Sequence, residues 1–180
     1  SRLLELVEEA ESEDRKVIVF SFFLDTIRKV TMLLGNRCTN PINGSVTPQR
    51  RQEIIDEFDK APAGTVLVAQ IQSGGTGLNI QSASVVVLCE PQFKPSIENQ
   101  AISRAYRMGQ TRNVLVYRLL CEGTVDEKIM STLESKQAIF DAFADKSVAA
   151  AESQQIDDRT FGNIIKEEID RINAKYGNTK

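Results

Sequence analysis

Three side chains on a predicted helix have the types and the spacing that suit a polyanion. Gln100, Arg104 and Arg107 stand at positions i, i+4 and i+7, so a helix would align them along one face. Two guanidinium groups in one stripe can form bidentate hydrogen bonds to phosphate oxygens and can stabilise charge on a transferred phosphoryl group. Alternatively, both arginines are surface residues paired with acids. Glu98 is the only acid between residues 91 and 118, so pairing within this segment would leave most of its basic side chains without an acidic partner.

A glycine-rich segment at residues 73–77, Ser-Gly-Gly-Thr-Gly, is a second candidate site. It follows a predicted strand that ends near Gln70. Glycines let the backbone approach a phosphate closely and turn N–H groups toward it. The segment lacks the Gly-Lys-Ser/Thr ending of a P-loop and the spacing of a dinucleotide-binding loop. The alternative is a tight strand-to-helix turn that binds no ligand.

The composition excludes several kinds of chemistry. The chain has no histidine, which removes the Ser-His-Asp triad and every zinc site that contains histidine. Its cysteines, Cys38, Cys89 and Cys121, form no CxxC pair, so we expect no disulfide scaffold, no metal site and a reducing compartment. The chain also lacks a P-loop lysine and an Asp-Glu pair after an apolar strand. We therefore expect that it does not hydrolyse a nucleotide alone.

The charge of the chain is unevenly distributed. The 180 residues carry a net charge of −3, yet residues 91–118 hold five basic residues and one acid. A nucleic-acid partner is therefore compatible with the composition, provided that the basic surface is local. No apolar run reaches the roughly 18–20 residues of a membrane span, and we expect no membrane partner.

Short apolar strands alternate with helices along the chain, and these elements would position the candidate residues. The pattern predicts strands at residues 17–21, near 42, at 65–70, 84–89 and 114–120. It predicts helices at residues 2–13 and 22–34, from Pro48 with Thr47 as N-cap, at 95–108, from a capping box at Thr124 to about 143, and at 157–176. Apolar strands that alternate with helices indicate an α/β fold with a parallel sheet covered on both faces.

From Lys16 to Lys136 the chain resembles the second RecA-like domain of superfamily-two helicases, in the Swi/Snf branch of double-stranded DNA translocases. The similar segments are 16–21 (motif IV), 43–51 (a Gly-Ser…Arg segment), 73–80 (motif V), 100–110 (motif VI, ending Arg-Met-Gly-Gln), and 116–119 with 123–128 (a strand and a brace helix). The resemblance implies a three-layer RecA-like domain over residues 1–144, with C-terminal brace helices from Thr124. A flexible linker and a C-terminal helix would occupy residues 145–180.

The resemblance also implies roles for individual residues. Arg107 would be the arginine finger, Arg104 its partner on the phosphates, and Gln100 would orient both. Gly75 and Gly77 would shape the loop that joins the nucleotide and DNA sites. The residues implied in contacts with the DNA backbone are Ser21, Gly44, Arg51, Gln72, Ser73, Gly74 and Lys94.

The implied cofactor is ATP with Mg²⁺, the metal being held by an N-terminal RecA-like domain of the same longer chain. The implied partners are that domain and double-stranded DNA. We expect a cytoplasmic, nucleoid-associated protein if the source is bacterial and a nuclear one if it is eukaryotic. Two alternatives remain open: a strand-separating helicase that acts on DNA or RNA, and a non-catalytic docking module.

Overall fold

A five-stranded sheet is the centre of the computed structural model, which describes residues 2–71, 82–89, 97, 101, 114–120, 132–138 and 158–176. The strands are β1 (Lys16–Ser21), β2 (Val66–Gln70), β3 (Ala83–Leu88), β4 (Val114–Leu120) and β5 (Thr132–Ala138). The helices are α1 (Arg2–Ser12), α2 (Leu24–Leu34), α3 (Pro48–Lys60) and α4 (Asp158–Tyr176), and a 3₁₀ turn spans Gly35–Arg37. The strand order is β2-β1-β3-β4-β5. The first four strands in this order are parallel, as predicted, and β5 runs antiparallel to β4.

Side chains on the two faces of the sheet form two separate apolar clusters. On β1, Ile18 and Phe20 point into the first cluster, whereas Val17 and Val19 point into the second. Helices α3 and α4 cover the first cluster, and α1 and α2 cover the second. This alternation explains why the strands are apolar at every position, since both faces of a strand are buried beneath helices.

The helix ends follow the chemistry of their terminal residues. Thr47 is the N-cap of α3, and its hydroxyl oxygen accepts a hydrogen bond from the Arg50 N–H at 3.1 Å. Pro48 takes the first helical position, where a missing N–H costs nothing. Gly35 ends α2 with φ = 55°, a conformation that side chains disfavour. All three assignments were predicted from the sequence and are confirmed.

The segment from Cys38 to Ile42 lies along the outer edge of β2. Cys38 forms a bridge with Val66, and Ile42 forms one with Ala69. The Ile42 N–H donates to the Val68 carbonyl oxygen at 2.9 Å, and the Gln70 N–H donates to the Ile42 carbonyl oxygen at 2.8 Å. The short strand predicted near Ile42 is therefore a pair of isolated bridges that continue the sheet beyond β2.

The prediction of a brace helix that continues to about residue 143 is wrong for residues 132–138. These residues form β5, which pairs with β4 along its whole length, from Val114 opposite Ala138 to Leu120 opposite Thr132. Strand pairing supplies partners for backbone groups on the outer side of β4, and such tertiary pairing overrides a weak helix propensity. The capping box at Thr124 and the predicted linker before Asp158 lie outside the described residues, and the boundary at residue 144 stays a prediction.

The predicted C-terminal helix is confirmed as α4. Its buried residue Ile165 belongs to the first cluster, and Ile164 and Ile169 pack against that cluster. Glu168 on the same helix is buried and forms a bidentate pair with Arg171, with N–O distances of 3.1 and 3.0 Å. Across the described ranges, no helix combines the length and the apolar character needed to cross a membrane.

Candidate nucleic-acid interface

The carboxyl ends of β1 and β2 lie side by side at one edge of the sheet. Ser21 pairs with Gln70 in the parallel register, and the Ile71 N–H donates to the Ser21 carbonyl oxygen at 2.8 Å. On the other side of β1, the Cys89 N–H donates to the Phe20 carbonyl oxygen at 3.0 Å. The segments that leave three parallel strands therefore start at one edge, which is where open α/β sheets bind ligands.

Ser21, which the resemblance implied in DNA contact, is fully buried. Its hydroxyl oxygen accepts a hydrogen bond from the Phe23 N–H at 3.0 Å and lies 3.2 Å from the Phe23 carbonyl oxygen, to which it donates. β1 lies between two strands and beneath helices on both faces, which buries this side chain, and the DNA contact predicted for Ser21 stays a prediction. In the described part of the chain, Ser21 shapes the turn between β1 and α2.

Residues 43–45 form an exposed turn, here called the 43–45 turn, beside the carboxyl end of β2. Asn43 Oδ1 accepts hydrogen bonds from the Ser45 N–H at 2.9 Å and from the Ser45 hydroxyl at 2.6 Å. This side-chain bridge fixes the backbone of the turn. Gly44, at its centre, is exposed to solvent as its predicted role requires. A glycine there leaves the backbone open to a close approach by another molecule.

Arg51 lies in the first turn of α3, which begins directly after the 43–45 turn. Its side chain is half-buried, with a buried Nε atom, and the first turn of α3 contains no acidic residue. The helix dipole adds positive potential at this end. The other end of α3 lies at the opposite edge of the sheet, where Lys16 at the start of β1 contacts Phe58. Gly44 and Arg51 are therefore brought to the same end of the domain.

Gln70 connects the surrounding segments, although its place in the sequence predicts only the end of a strand. Its side-chain Oε1 accepts a hydrogen bond from the Gly44 N–H at 3.3 Å, and its Nε2 donates to the Phe22 carbonyl oxygen at 3.2 Å. A polar residue at the last position of an otherwise apolar strand was the only sequence signal. One side chain thus bridges the exit of β1 and the 43–45 turn.

The other predicted site residues lie outside the described residues. These are Gln72, Ser73, Gly74, Gly75, Gly77, Lys94, Gln100, Arg104 and Arg107. Of the segment that carries the arginine stripe, Ile97 and Ala101 are described. Both are helical and buried, and both belong to the first cluster. The roles of the arginine stripe and of the glycine-rich segment stay predictions.

The described cysteines do not have the character of nucleophiles or metal ligands. Burial raises the pKa of the Cys38 thiol to about 11, so the thiol stays protonated at neutral pH. Cys89 is buried at the end of β3. In the described part of the chain, no group of three or more His, Cys, Asp or Glu residues could hold a metal ion.

Comparison with known proteins gives consistent relatives. The chain matches the helicase conserved C-terminal domain over residues 1–109. It is 34% identical over 143 residues to the SNF2 domain-containing protein ENL1 of Oryza sativa subsp. japonica, which covers 78% of this chain and 14% of ENL1. It is 32% identical over 178 residues to the ATP-dependent helicase fft2 of Schizosaccharomyces pombe, which covers 96% of this chain and 13% of fft2. The chain thus spans a small part of these curated relatives.

The fold has similar solved structures in the same group of proteins. The Sulfolobus solfataricus SWI2/SNF2 ATPase core in complex with dsDNA is 32% identical, with a TM-score of 0.53 over 68% of this chain and 26% of that chain. The core domain solved by itself gives a TM-score of 0.56 at 31% identity, over 68% and 25% of the two chains. These similarities confirm the predicted RecA-like α/β fold. The chain therefore belongs to the helicase conserved C-terminal domain family, in its Swi/Snf branch.

Proposed function

We propose that this chain is the C-terminal motor domain of an ATP-dependent translocase that moves on double-stranded DNA. The observation that carries the proposal is the exposed 43–45 turn beside the first turn of α3, at the carboxyl edge of the sheet. A backbone open at Gly44 and a half-buried guanidinium at Arg51 suit a phosphate chain. The Sulfolobus solfataricus SWI2/SNF2 ATPase core, solved in complex with dsDNA, supports duplex DNA as the partner.

On the DNA side, the contacts use groups that carry no information about base sequence. A glycine that lets the DNA backbone approach closely, a guanidinium and the positive end of a helix all favour phosphate oxygens over base edges. Gln72, Ser73, Gly74 and Lys94 extend this surface in the proposal. Ser21 supports it indirectly, through the turn between β1 and α2. A motor that must pass over any sequence needs contacts of this kind.

On the nucleotide side, the arginine stripe completes a site that an N-terminal RecA-like domain of the same longer protein begins. Arg107 meets the charge that develops on the transferred phosphoryl group, and Arg104 binds phosphate oxygens, with Gln100 orienting both. Gly75 and Gly77 shape the segment between this site and the DNA surface. The proposed cofactor is ATP with Mg²⁺; the metal, held by the other domain, neutralises phosphate charge.

In the proposed cycle, closure of the cleft between the two domains brings Arg104 and Arg107 to the phosphates. Opening of the cleft releases them, and the 43–45 turn shifts along the DNA backbone. Repeated closure and opening then moves the protein along the duplex. The Arg-Met-Gly-Gln ending of the arginine segment favours such a translocase over a strand-separating helicase.

The test is ATP hydrolysis by the complete protein that contains this chain, with no DNA, with single-stranded DNA and with duplex DNA. We expect strong stimulation by the duplex and its loss in Arg107→Ala. Arg28→Ala is the matched control, because Arg28 is exposed on α2, which covers the face of the sheet opposite α3, and pairs with Asp25. Stimulation by single strands alone would favour the helicase alternative. No hydrolysis under any condition would favour the docking module.

A further inference from the structure

We infer that Gln70 is a positioning residue that holds the 43–45 turn to the end of β2 and to the exit of β1, so that this turn keeps a fixed place at the carboxyl edge of the sheet. The inference rests on the proposed function, since it assigns a coupling role within the proposed DNA surface. Gln70 itself is not proposed to touch DNA or nucleotide. It acts through Gly44, whose backbone it binds.

The geometry of the Gln70 side chain carries the inference. Its two polar atoms bind two different segments: Oε1 accepts from the Gly44 N–H at 3.3 Å, and Nε2 donates to the Phe22 carbonyl oxygen at 3.2 Å. The Gln70 backbone N–H also donates to the Ile42 carbonyl oxygen at 2.8 Å. Main chain and side chain of one residue therefore fix both the entry and the centre of the turn.

The hydrogen bond between Gln70 and Gly44 links the 43–45 turn to the place where the chain leaves β2. Gln70 is the last residue of β2, and after Ile71 the chain enters the glycine-rich segment that the proposed function places between nucleotide and DNA. The Ile71 N–H is bound to the Ser21 carbonyl oxygen at 2.8 Å. A displacement of the end of β2 would therefore also displace Gly44.

An amide is the group that this place requires. It offers one acceptor to an N–H and one donor to a carbonyl from a single planar head. A carboxylate of the same length can accept from Gly44 but would face the Phe22 carbonyl oxygen without a proton. A methionine of similar length offers no donor and only a weak acceptor. Because both partners are backbone groups, changing Gln70 removes neither of them.

The first test measures amide hydrogen exchange at Gly44 in the 180-residue chain. We expect exchange at Gly44 to be about 3- to 10-fold faster in Gln70→Met, because a hydrogen bond of ordinary strength is lost. Gln70→Glu keeps the acceptor and should leave exchange at Gly44 close to that of the wild type. Gln52→Met is the matched control, because Gln52 is exposed on α3 and its amide donates only within that helix, to Asp56 at 2.9 Å. Unchanged exchange at Gly44 in Gln70→Met would overturn the inference.

The second test uses the complete protein and compares three kinetic quantities. In Gln70→Met, the duplex concentration that gives half-maximal ATP hydrolysis should rise about 3- to 10-fold. Hydrolysis without DNA and the KM for ATP should stay within about twofold of the wild type, because the nucleotide contacts are intact. Gln70→Asn, which is one methylene too short to span both partners, repeats the test if Gln70→Met does not fold.

The outcomes separate the inference from the proposed function. If the wild type is stimulated by duplex DNA and Gln70→Met has the same half-maximal concentration, the inference fails and the motor stands. The inference also fails if, in Gln70→Met, hydrolysis without DNA falls by the same factor by which the half-maximal duplex concentration rises. Such a result would indicate a general structural effect. If the wild type is not stimulated by any DNA, the proposed function fails. The exchange measurement at Gly44 then still decides whether Gln70 holds the turn.

Discussion

The ammonium group of Lys16 lies 5.4 Å from the centroid of the Phe58 ring and donates a hydrogen bond to the Phe58 carbonyl oxygen at 2.9 Å. It also donates to the Asp59 carbonyl oxygen at 2.8 Å. The last carbonyl groups of a helix have no partner within the helix, and a cation is favoured at that end. Lys16, the first residue of β1, therefore caps the carboxyl end of α3 and fixes this helix to the sheet.

We expect Lys16→Met to lower the free energy of unfolding of the chain by about 1–2 kcal/mol, because two carbonyl groups lose a charged donor. Burial lowers the pKa of Lys16, so part of the gain from capping is offset by desolvation. The urea midpoint, at an unchanged m-value, measures the loss. Lys60→Met is the control, because Lys60 is exposed in the same last turn. Equal midpoints for the two variants would contradict the capping role.

Gly64→Ala should destabilise the chain by about 2–3 kcal/mol. Gly64 has φ = 83°, and a Cβ atom there would lie 2.9 Å from both Cβ and Cγ of Glu11. The Cβ of Glu11 is fixed to α1, so the clash cannot be relieved by a rotamer change alone. Gly35→Ala separates backbone strain from this clash, because Gly35 has φ = 55° and open space around it. Thermal unfolding measures both effects. A larger decrease in Tm for Gly35→Ala than for Gly64→Ala would contradict the assigned clash with Glu11.

Cys38 should react slowly with iodoacetamide in the folded chain. Burial raises the pKa of its thiol from 9.0 to about 11, and the thiolate is the nucleophile. At a pH of about 8 we expect alkylation at Cys38 to be about 10- to 100-fold slower than in the urea-unfolded chain, as measured by mass spectrometry of the peptide that contains it.

The same raised pKa of Cys38 affects stability in alkali. Because the folded state favours the protonated thiol, the contribution to stability is fully present below pH 9.0 and is lost as the pH rises through about 11. Replacement by alanine should therefore reduce the loss of stability over this range. An equally steep loss in Cys38→Ala would show that other groups, such as Tyr117 with its pKa also raised by burial, dominate it.

Arg51→Ala should weaken the binding of duplex DNA by the 180-residue chain about 3- to 10-fold, equally for different sequences. The slope of log Kd against log salt concentration should fall by about one, because one phosphate contact is lost. Fluorescence anisotropy over a range of salt concentrations measures both quantities. Arg28→Ala is the control on the opposite face of the sheet. The same change in slope in Arg28→Ala would show that the effect comes from the lower net charge and not from a phosphate contact at Arg51.

Much of the fold was predictable because local chemistry and tertiary structure agree. The apolar runs of β1 and β3 predict buried parallel strands, and Thr47 with Pro48 predicts the start of α3. Residues 132–138 were not predictable in this way. Their sequence, Thr-Leu-Glu-Ser-Lys-Gln-Ala, has no strong strand pattern, and their state depends on the free side of β4, which no local pattern reveals.

The candidate site was predictable in part for a related reason. Gly44 and Arg51 lie at one end of the domain, because a short turn and a capped helix fix their separation, and their contact with DNA stays a prediction. The burial of Ser21 was not predictable, since the sequence cannot show that β1 carries its last side chain into the interior, and the role predicted for it stays a prediction. Gln70 was missed because its role depends on a contact with a residue 26 positions away.

The segment from Cys38 to Ile42 and the strand β5 close the parallel part of the sheet at its two sides. Backbone groups at the margin of a sheet are a template on which another molecule can add a strand. In this chain the outward backbone groups of β2, at Val66, Val68 and Gln70, are hydrogen-bonded to the 38–42 segment. The outer side of β4 is paired with β5 along its length. The margins of the described sheet are instead the 38–42 segment, which contains Pro41, and β5, which contains Glu134 and Lys136, and both proline and charge at a margin disfavour the addition of a strand from a second molecule.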